Sequence, residues 1–137
     1  MRIIFILMLS VLTFVSCSKD DDNNSQNSTV WVEVESLEHL QNTVKIGSSL
    51  VFYYSPSCSI CNRQRPIIES LMDNSELKEI AFLRVNNDNH SHLAQVMGVH
   101  GHPVIVFYKN GSENSRITGG GHDAQKIKNI LLNLLED

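Results

Sequence analysis

"VFYYSPSCSICNRQRP", Val51 to Pro66, decides how the rest of this chain is read. It opens on a short continuous apolar run, Val51 to Tyr54, which Ser55-Pro56-Ser57 breaks. A run of that kind, begun at Leu50, is the mark of a strand covered on both faces. Two cysteines, Cys58 and Cys61, then stand where a helical pattern begins. The helix is expected from about Cys58 to Met72, with Ile60, Ile67, Ile68, Leu71 and Met72 as its apolar stripe and Arg63 to Arg65 as an interruption. Pro66 falls inside it, where a proline removes a hydrogen bond and bends the axis. Taken alone, two cysteines at this spacing fit a redox couple, a metal clamp or a structural staple.

Working outward, Val30 to Val34 is β-branched and aromatic with a polar interruption at Glu33, a strand pattern. Ser36 is placed to cap a helix carrying Leu37, Leu40 and Val44 and ending near Gly47. Ala81 to Val85 predicts another strand, and Leu93, Val96 and Met97 a short helix closed by Gly98. Pro103 to Tyr108 is a strand that begins at a proline, an allowed place for one. Asn110-Gly111 signals a hairpin, so Ser115 to Thr118 should return antiparallel. After Gly119 to Gly121 a last helix, from about Asp123, sets Ile127, Ile130, Leu131, Leu134 and Leu135 on one face. The order βαβαβαββα predicts an α/β fold: a central mixed β-sheet with helices on both sides.

The chain's beginning is of another kind. Arg2 precedes an apolar run from Ile3 to Val15, too short to span a bilayer and of the length of a signal-peptide core. Phe14-Val15-Ser16-Cys17 resembles a bacterial lipobox, in which the cysteine is lipidated and becomes the mature N-terminus. A plain cleaved signal with an incidental Cys17 is the alternative. Ser18 to Ser28, "SKDDDNNSQNS", has no apolar residue and should be a flexible tether. The expected division is therefore residues 1–16 as signal peptide, 17–28 as lipid-anchored tether and 29–137 as one folded domain. That places the domain in the bacterial cell envelope, on the periplasmic or cell-surface side of a membrane.

Net charge is −4 with histidine neutral, and losing Arg2 with the signal leaves 10 basic residues against 15 acidic ones. Mild acidity without a basic patch argues against nucleic acid as a partner. The chain has three cysteines, so if Cys17 carries lipid the remaining two form a self-contained pair.

Several of these features together resemble the thioredoxin superfamily, over roughly Val30 to Leu135. They are the strand leading into C-x-x-C, Pro66 five residues after the second cysteine, "VHGHP" before a strand, "FYKNG" as a hairpin, and glycines before the last helix. There are departures from the thioredoxin pattern. Ser57 stands where tryptophan is usual, Phe52 stands where thioredoxin buries an acid, and Ser59-Ile60 forms the inner dipeptide.

The resemblance implies a thioredoxin-like fold with Cys58 and Cys61 as a redox-active disulfide, and the spacing supports that chemistry. At the start of a helix the Cys58 sulfur meets unsatisfied backbone N–H groups and the positive end of the dipole, which favour thiolate. Cys61 lies one turn on along the same face, with its Cα in disulfide range of that of Cys58. Cys58 is then the nucleophile and Cys61 the resolving cysteine. Pro103 is implied to be a cis-proline facing the pair, orienting the His102 backbone toward a bound extended peptide. Gly120, in the rim Gly119 to Gly121, would let substrate backbone approach closely. His102, if near the sulfurs, would stabilise the Cys58 thiolate as imidazolium or pass a proton to and from Cys61 as imidazole. A solvent-facing loop histidine is the plainer alternative.

The leading expectation is an extracytoplasmic thiol–disulfide oxidoreductase, a lipid-anchored monomer without cofactor or resident metal. Its partners would be cysteine-containing exported proteins or a membrane redox donor. The alternative is a binding module: a copper or zinc site from Cys58, Cys61 and His102, or a thioredoxin-fold adaptor without catalysis. His90, His92 and His100 lie in or beside the polar stretch "NNDNHSH" and are expected to be solvated.

Overall fold

The computed structural model describes residues 30–136. The segments expected as signal peptide and tether, with Cys17, lie outside the described residues. The elements in chain order are β1 (Val32–Glu33), α1 (Leu37–Val44), β2 (Ser48–Tyr54), α2 (Ser59–Met72), β3 (Ile80–Asn86), α3 (Ser91–Val96), β4 (Val104–Lys109), β5 (Ser112–Thr118) and α4 (Ala124–Glu136), with a 3-10 turn at Ser75–Leu77 before β3. The five strands form one mixed sheet in the order β1-β3-β2-β4-β5. β1, β3 and β2 run parallel, while β4 pairs antiparallel with both β2 and β5.

Alternation through the three inner strands makes two cores from one sheet. Leu50, Phe52 and Tyr54 of β2, Ile80 and Phe82 of β3, and Ile105 and Phe107 of β4 point to one face. There they meet Cys61, Ile68 and Leu71 of α2 and Ile127, Leu131 and Leu134 of α4. The intervening residues, Val51 and Tyr53, Leu83 and Val85, Val104, Val106 and Tyr108, meet α1 and α3 on the other face. A strand that must bury both faces has no polar position to spare, so β2 reads as an unbroken apolar run. Full burial of an aromatic such as Phe52 stabilises the fold enough that truncation to Ala costs about 3–5 kcal/mol.

Local signals set the ends of the elements. The Ser36 hydroxyl accepts the His39 N–H at 3.1 Å and starts α1. The Asp123 carboxylate accepts the Lys126 N–H at 2.8 Å and starts α4. Asn110 and Gly111 both adopt positive φ, 48° and 82°, which closes the β4–β5 hairpin as a type I′ turn. The turn is tied to the end of α1: Asn110 donates its N–H to the Gly47 carbonyl and accepts the Gly47 N–H on Oδ1.

The element order is the one the sequence predicts, and boundaries move by a few residues. β1 is shorter than the pattern over Val30 to Val34, because only Val32 and Glu33 align with β3. β5 is longer than the pattern from Ser115, because backbone pairing to β4 carries exposed polar residues from Ser112 onward. α2 runs unbroken through Pro66, which sits on the exposed side of the helix.

Candidate active site

The turn from β2 into α2 is held by its own polar groups. The Cys58 N–H donates to the Ser55 carbonyl at 3.2 Å. The Ser55 hydroxyl lies 2.9 Å from a carboxylate oxygen of Asp88 and 3.0 Å from the Ser57 hydroxyl. An ionised carboxylate only accepts, so Ser55 donates to Asp88 and accepts from Ser57. The Asn62 amide closes the other side by donating to the Pro56 carbonyl at 3.2 Å. Asp88 comes from the "NNDNHSH" stretch, whose polar composition hides its structural role in the sequence.

Cys58 is the cap of α2 rather than its first helical residue. Its φ of −80° and ψ of 110° are extended, and its sulfur accepts the Cys61 N–H at 3.0 Å. The outer sulfur therefore already receives a backbone donor at the positive end of a 14-residue helix. Cys58 and Cys61 form a disulfide with Cα atoms 5.2 Å apart. Cys58 is half-buried, whereas Cys61 is fully buried against Phe52 and Tyr54. Beneath the pair, Trp31, Phe52 and Tyr54 stack at centroid separations of 5.9 and 5.7 Å. The guanidinium groups of Arg65 and Arg84 lie 5.2 and 5.7 Å from the Tyr54 ring. This places Tyr54 under the motif and Tyr53 in the opposite core.

Opposite the pair, the His102–Pro103 peptide bond is cis. The exposed His102 ring turns its Nδ1 to the Cys61 sulfur at 3.7 Å. It is thus the inner sulfur that meets the imidazole. The Pro103 carbonyl accepts the Gly119 N–H at 2.9 Å, which joins this loop to the glycine rim. Gly120 backs onto Ile60: a Cβ at Gly120 would collide with Ile60 Cγ2.

Two grooves flank the cysteines. One, of about 480 Å³, lies between α2 and the rim and is lined by Ile60, Arg63, Gln64, Ile67, Gly120 and Gly121. The other, of about 400 Å³, runs past His100, His102, Pro103 and Thr118. Gln64 is a residue that the sequence pattern hides. It falls among the arginines interrupting the apolar stripe, yet it is buried, donating to the His122 carbonyl at 2.8 Å and accepting the His122 N–H at 3.1 Å. Arg63 lies at the groove, while Arg65 donates to Asn62 at 3.1 Å and covers Tyr54. Among the described residues the ligand-type cluster at the sulfurs comprises Cys58, Cys61 and His102, and His90, His92 and His100 do not join it.

Comparison with known proteins decides what this arrangement is. Residues 30–133 match the thioredoxin family model. The chain belongs to the thioredoxin family. It is 30% identical to a thioredoxin of Chlamydia caviae over 104 residues, covering 76% of this chain and 95% of that one. It is 29% identical over 102 residues to a thioredoxin-like protein of Schizosaccharomyces pombe, covering 74% of this chain but only 35% of that longer protein. A mutant thioredoxin from Halobacterium salinarum superposes with a TM-score of 0.71 at 22% identity, covering 80% of this chain and 94% of that one. The family and the Cys58–Cys61 disulfide make this a thioredoxin-like disulfide oxidoreductase.

Proposed function

We propose that this thioredoxin-family domain works outside the cytoplasm, lipid-anchored through Cys17, exchanging disulfides with exported proteins or with a membrane redox donor. The unequal setting of the two sulfurs carries the chemical part: Cys58 is half-buried at a helix start and Cys61 is fully buried beneath it. The lipobox-like residues Phe14 to Cys17 and the apolar run before them support the location.

With the pair reduced, the Cys58 thiolate attacks one sulfur of a substrate disulfide. That S–S bond breaks, a mixed disulfide forms, and the substrate's other sulfur leaves as a thiolate. The Cys61 thiolate then attacks Cys58 Sγ, the mixed disulfide breaks, and the second substrate sulfur leaves. Two electrons have passed to the substrate, and the Cys58–Cys61 bond has re-formed. A dithiol donor restores the pair by the reverse steps, and the same geometry oxidises a substrate whose potential is the lower. Pro103, His102 and Gly120 border the grooves through which an extended substrate would reach Cys58.

The test joins chemistry to location. Cys58→Ser should abolish insulin reduction by dithiothreitol, and Cys61→Ser should accumulate a substrate joined through Cys58. Labelled palmitate should enter the bacterial membrane-bound protein and be absent from Cys17→Ser. Exchange that survives Cys58→Ser would sink the mechanism, and unlabelled wild type would sink the anchor.

A further inference from the structure

We propose that the reduced protein holds one copper(I) ion between the sulfurs of Cys58 and Cys61 and the imidazole of His102. Ligand atoms of these three residues all lie within 4.8 Å of one another. Around a first-row cation at metal–ligand distances of about 2.0–2.3 Å, neighbouring ligand atoms stand about 3.5–4 Å apart. The separation of 3.7 Å between Cys61 Sγ and His102 Nδ1 meets that requirement in the oxidised state. The Cys58 sulfur lies within 4.8 Å of the imidazole ligand atom, and reduction frees it from Cys61 to close that gap.

The donor set selects the ion. Two thiolates and one imidazole are soft to borderline ligands. Among the described residues no fourth histidine, cysteine or carboxylate joins them at that separation. A structural zinc site asks for four protein ligands and a Cys2His zinc completes its shell with water, whereas copper(I) is held by soft donors such as these two thiolates without further ligands. The scaffold is also firm. Cys58 caps α2 and Cys61 sits in its first turn, and His102 adjoins Pro103, whose carbonyl accepts the Gly119 N–H. His102 is exposed, so an incoming chelate can hand over its ion without opening the core.

Loading balances without a further redox step. A two-electron donor such as a dithiol or a phosphine first converts the disulfide to two thiols. Copper(I) then displaces both thiol protons, and His102 binds through its Nδ1 lone pair with its proton on Nε2. The ion and the disulfide exclude each other, so bound copper(I) stabilises the dithiol by mass action and withholds Cys58 from exchange. The inference shares one premise with the oxidoreductase reading, that the disulfide is reducible.

The probe is copper(I) bicinchoninate, titrated without oxygen against the full chain carrying Cys17→Ser, reduced with a phosphine and then desalted. The expected result is transfer of one equivalent to reduced protein and none to oxidised protein. His102→Ala should weaken binding at least tenfold, and X-ray absorption should report two sulfurs and one nitrogen. A reduced protein that exchanges disulfides but takes no copper(I) overturns the metal site alone. Equal affinity in His102→Ala, a two-sulfur shell, or preference for zinc also overturns it. A disulfide that resists reduction overturns this inference and the exchange mechanism together.

Discussion

At the scale of single residues, the contact between Ile60 and Gly120 joins the motif to its surroundings. Ile60 is 44% exposed although it stands between the cysteines, and Gly120 lacks the Cβ that would strike its Cγ2. The φ of Gly120 is not positive, so substitution there brings crowding rather than backbone strain. A β-branched side chain in a helix has essentially one comfortable χ1, so Ile60 cannot swing aside freely. Gly120→Ala should therefore cost about 1 kcal/mol of stability, the scale of an off-rotamer side chain. Because the displaced atoms border the groove beside Cys58, kcat/KM for insulin reduction should fall about tenfold. Adding Ile60→Ala should return part of that loss, a coupling that a double-mutant cycle reads directly. Additive losses would mean that the two positions act on substrate separately. The crowding itself is not legible in the sequence: three glycines in a row announce a turn but not which side chain they make room for.

At the scale of elements, α2 shows where sequence patterning works and where it stops. Its extent, its cysteines at the start and the later part of its apolar stripe follow from residue spacing, because helical periodicity and burial agree at Ile68, Leu71 and Met72. Ile60, expected in the same stripe, is exposed because it lies at the helix start beside the glycine rim. Gln64 defeats the same logic, since a polar side chain between arginines looks solvated. Its burial depends on a backbone segment 58 residues away. Asp88 is hidden for a like reason, because its partner Ser55 lies 33 residues earlier. His102 is half legible: the "VHGHP" loop marks it through resemblance, while its choice of the inner sulfur is set by the orientation of the loop. The Gln64 clamp carries its own prediction. Gln64→Leu keeps the volume but leaves the N–H and carbonyl of His122 without their partner, a loss of about 1–3 kcal/mol. Hydrogen exchange at the His122 amide should quicken more than exchange in β2 or β4. Gln64→Glu should fall between, because a carboxylate still accepts the N–H but turns its second oxygen on a carbonyl. Unchanged exchange at His122 in Gln64→Leu would show that the rim is held by other contacts.

At the scale of the whole molecule, two cores on one sheet divide the labour: the α2–α4 side carries the cysteines, and the α1–α3 side carries a pair of buried phenols. The split follows from alternation along β2, so the sequence shows that both faces are covered, though not which face receives which tyrosine. Tyr53 and Tyr108 come near enough to influence each other, yet neither hydroxyl attains hydrogen-bond geometry. Burial, followed by the neighbouring Tyr108, pushes the Tyr53 phenol far above its ordinary value near 10. Burial also raises Tyr108, helped by the negative charge of Glu113. Arg116 opposes the rise at both while bonded to Glu113 and to the carbonyls of Met97 and Gly98. The sign then follows. Below the unfolded value near 10 both states keep the phenol proton, and stability is whole. Above it the unfolded chain releases a proton that native Tyr53 retains, so stability falls as pH rises, by about 1.4 kcal/mol per pH unit for one such group. Tyr53→Phe should leave stability at pH 7 unchanged or slightly higher, because it removes a buried hydroxyl without a partner. It should also flatten the alkaline limb between pH 10 and 12 by about that slope in urea unfolding. Tyr108→Phe should do the same more weakly, and the double variant should unfold with little dependence on pH across that window. A Tyr53→Phe protein whose alkaline limb keeps the wild-type slope would place the titrating group elsewhere in the chain.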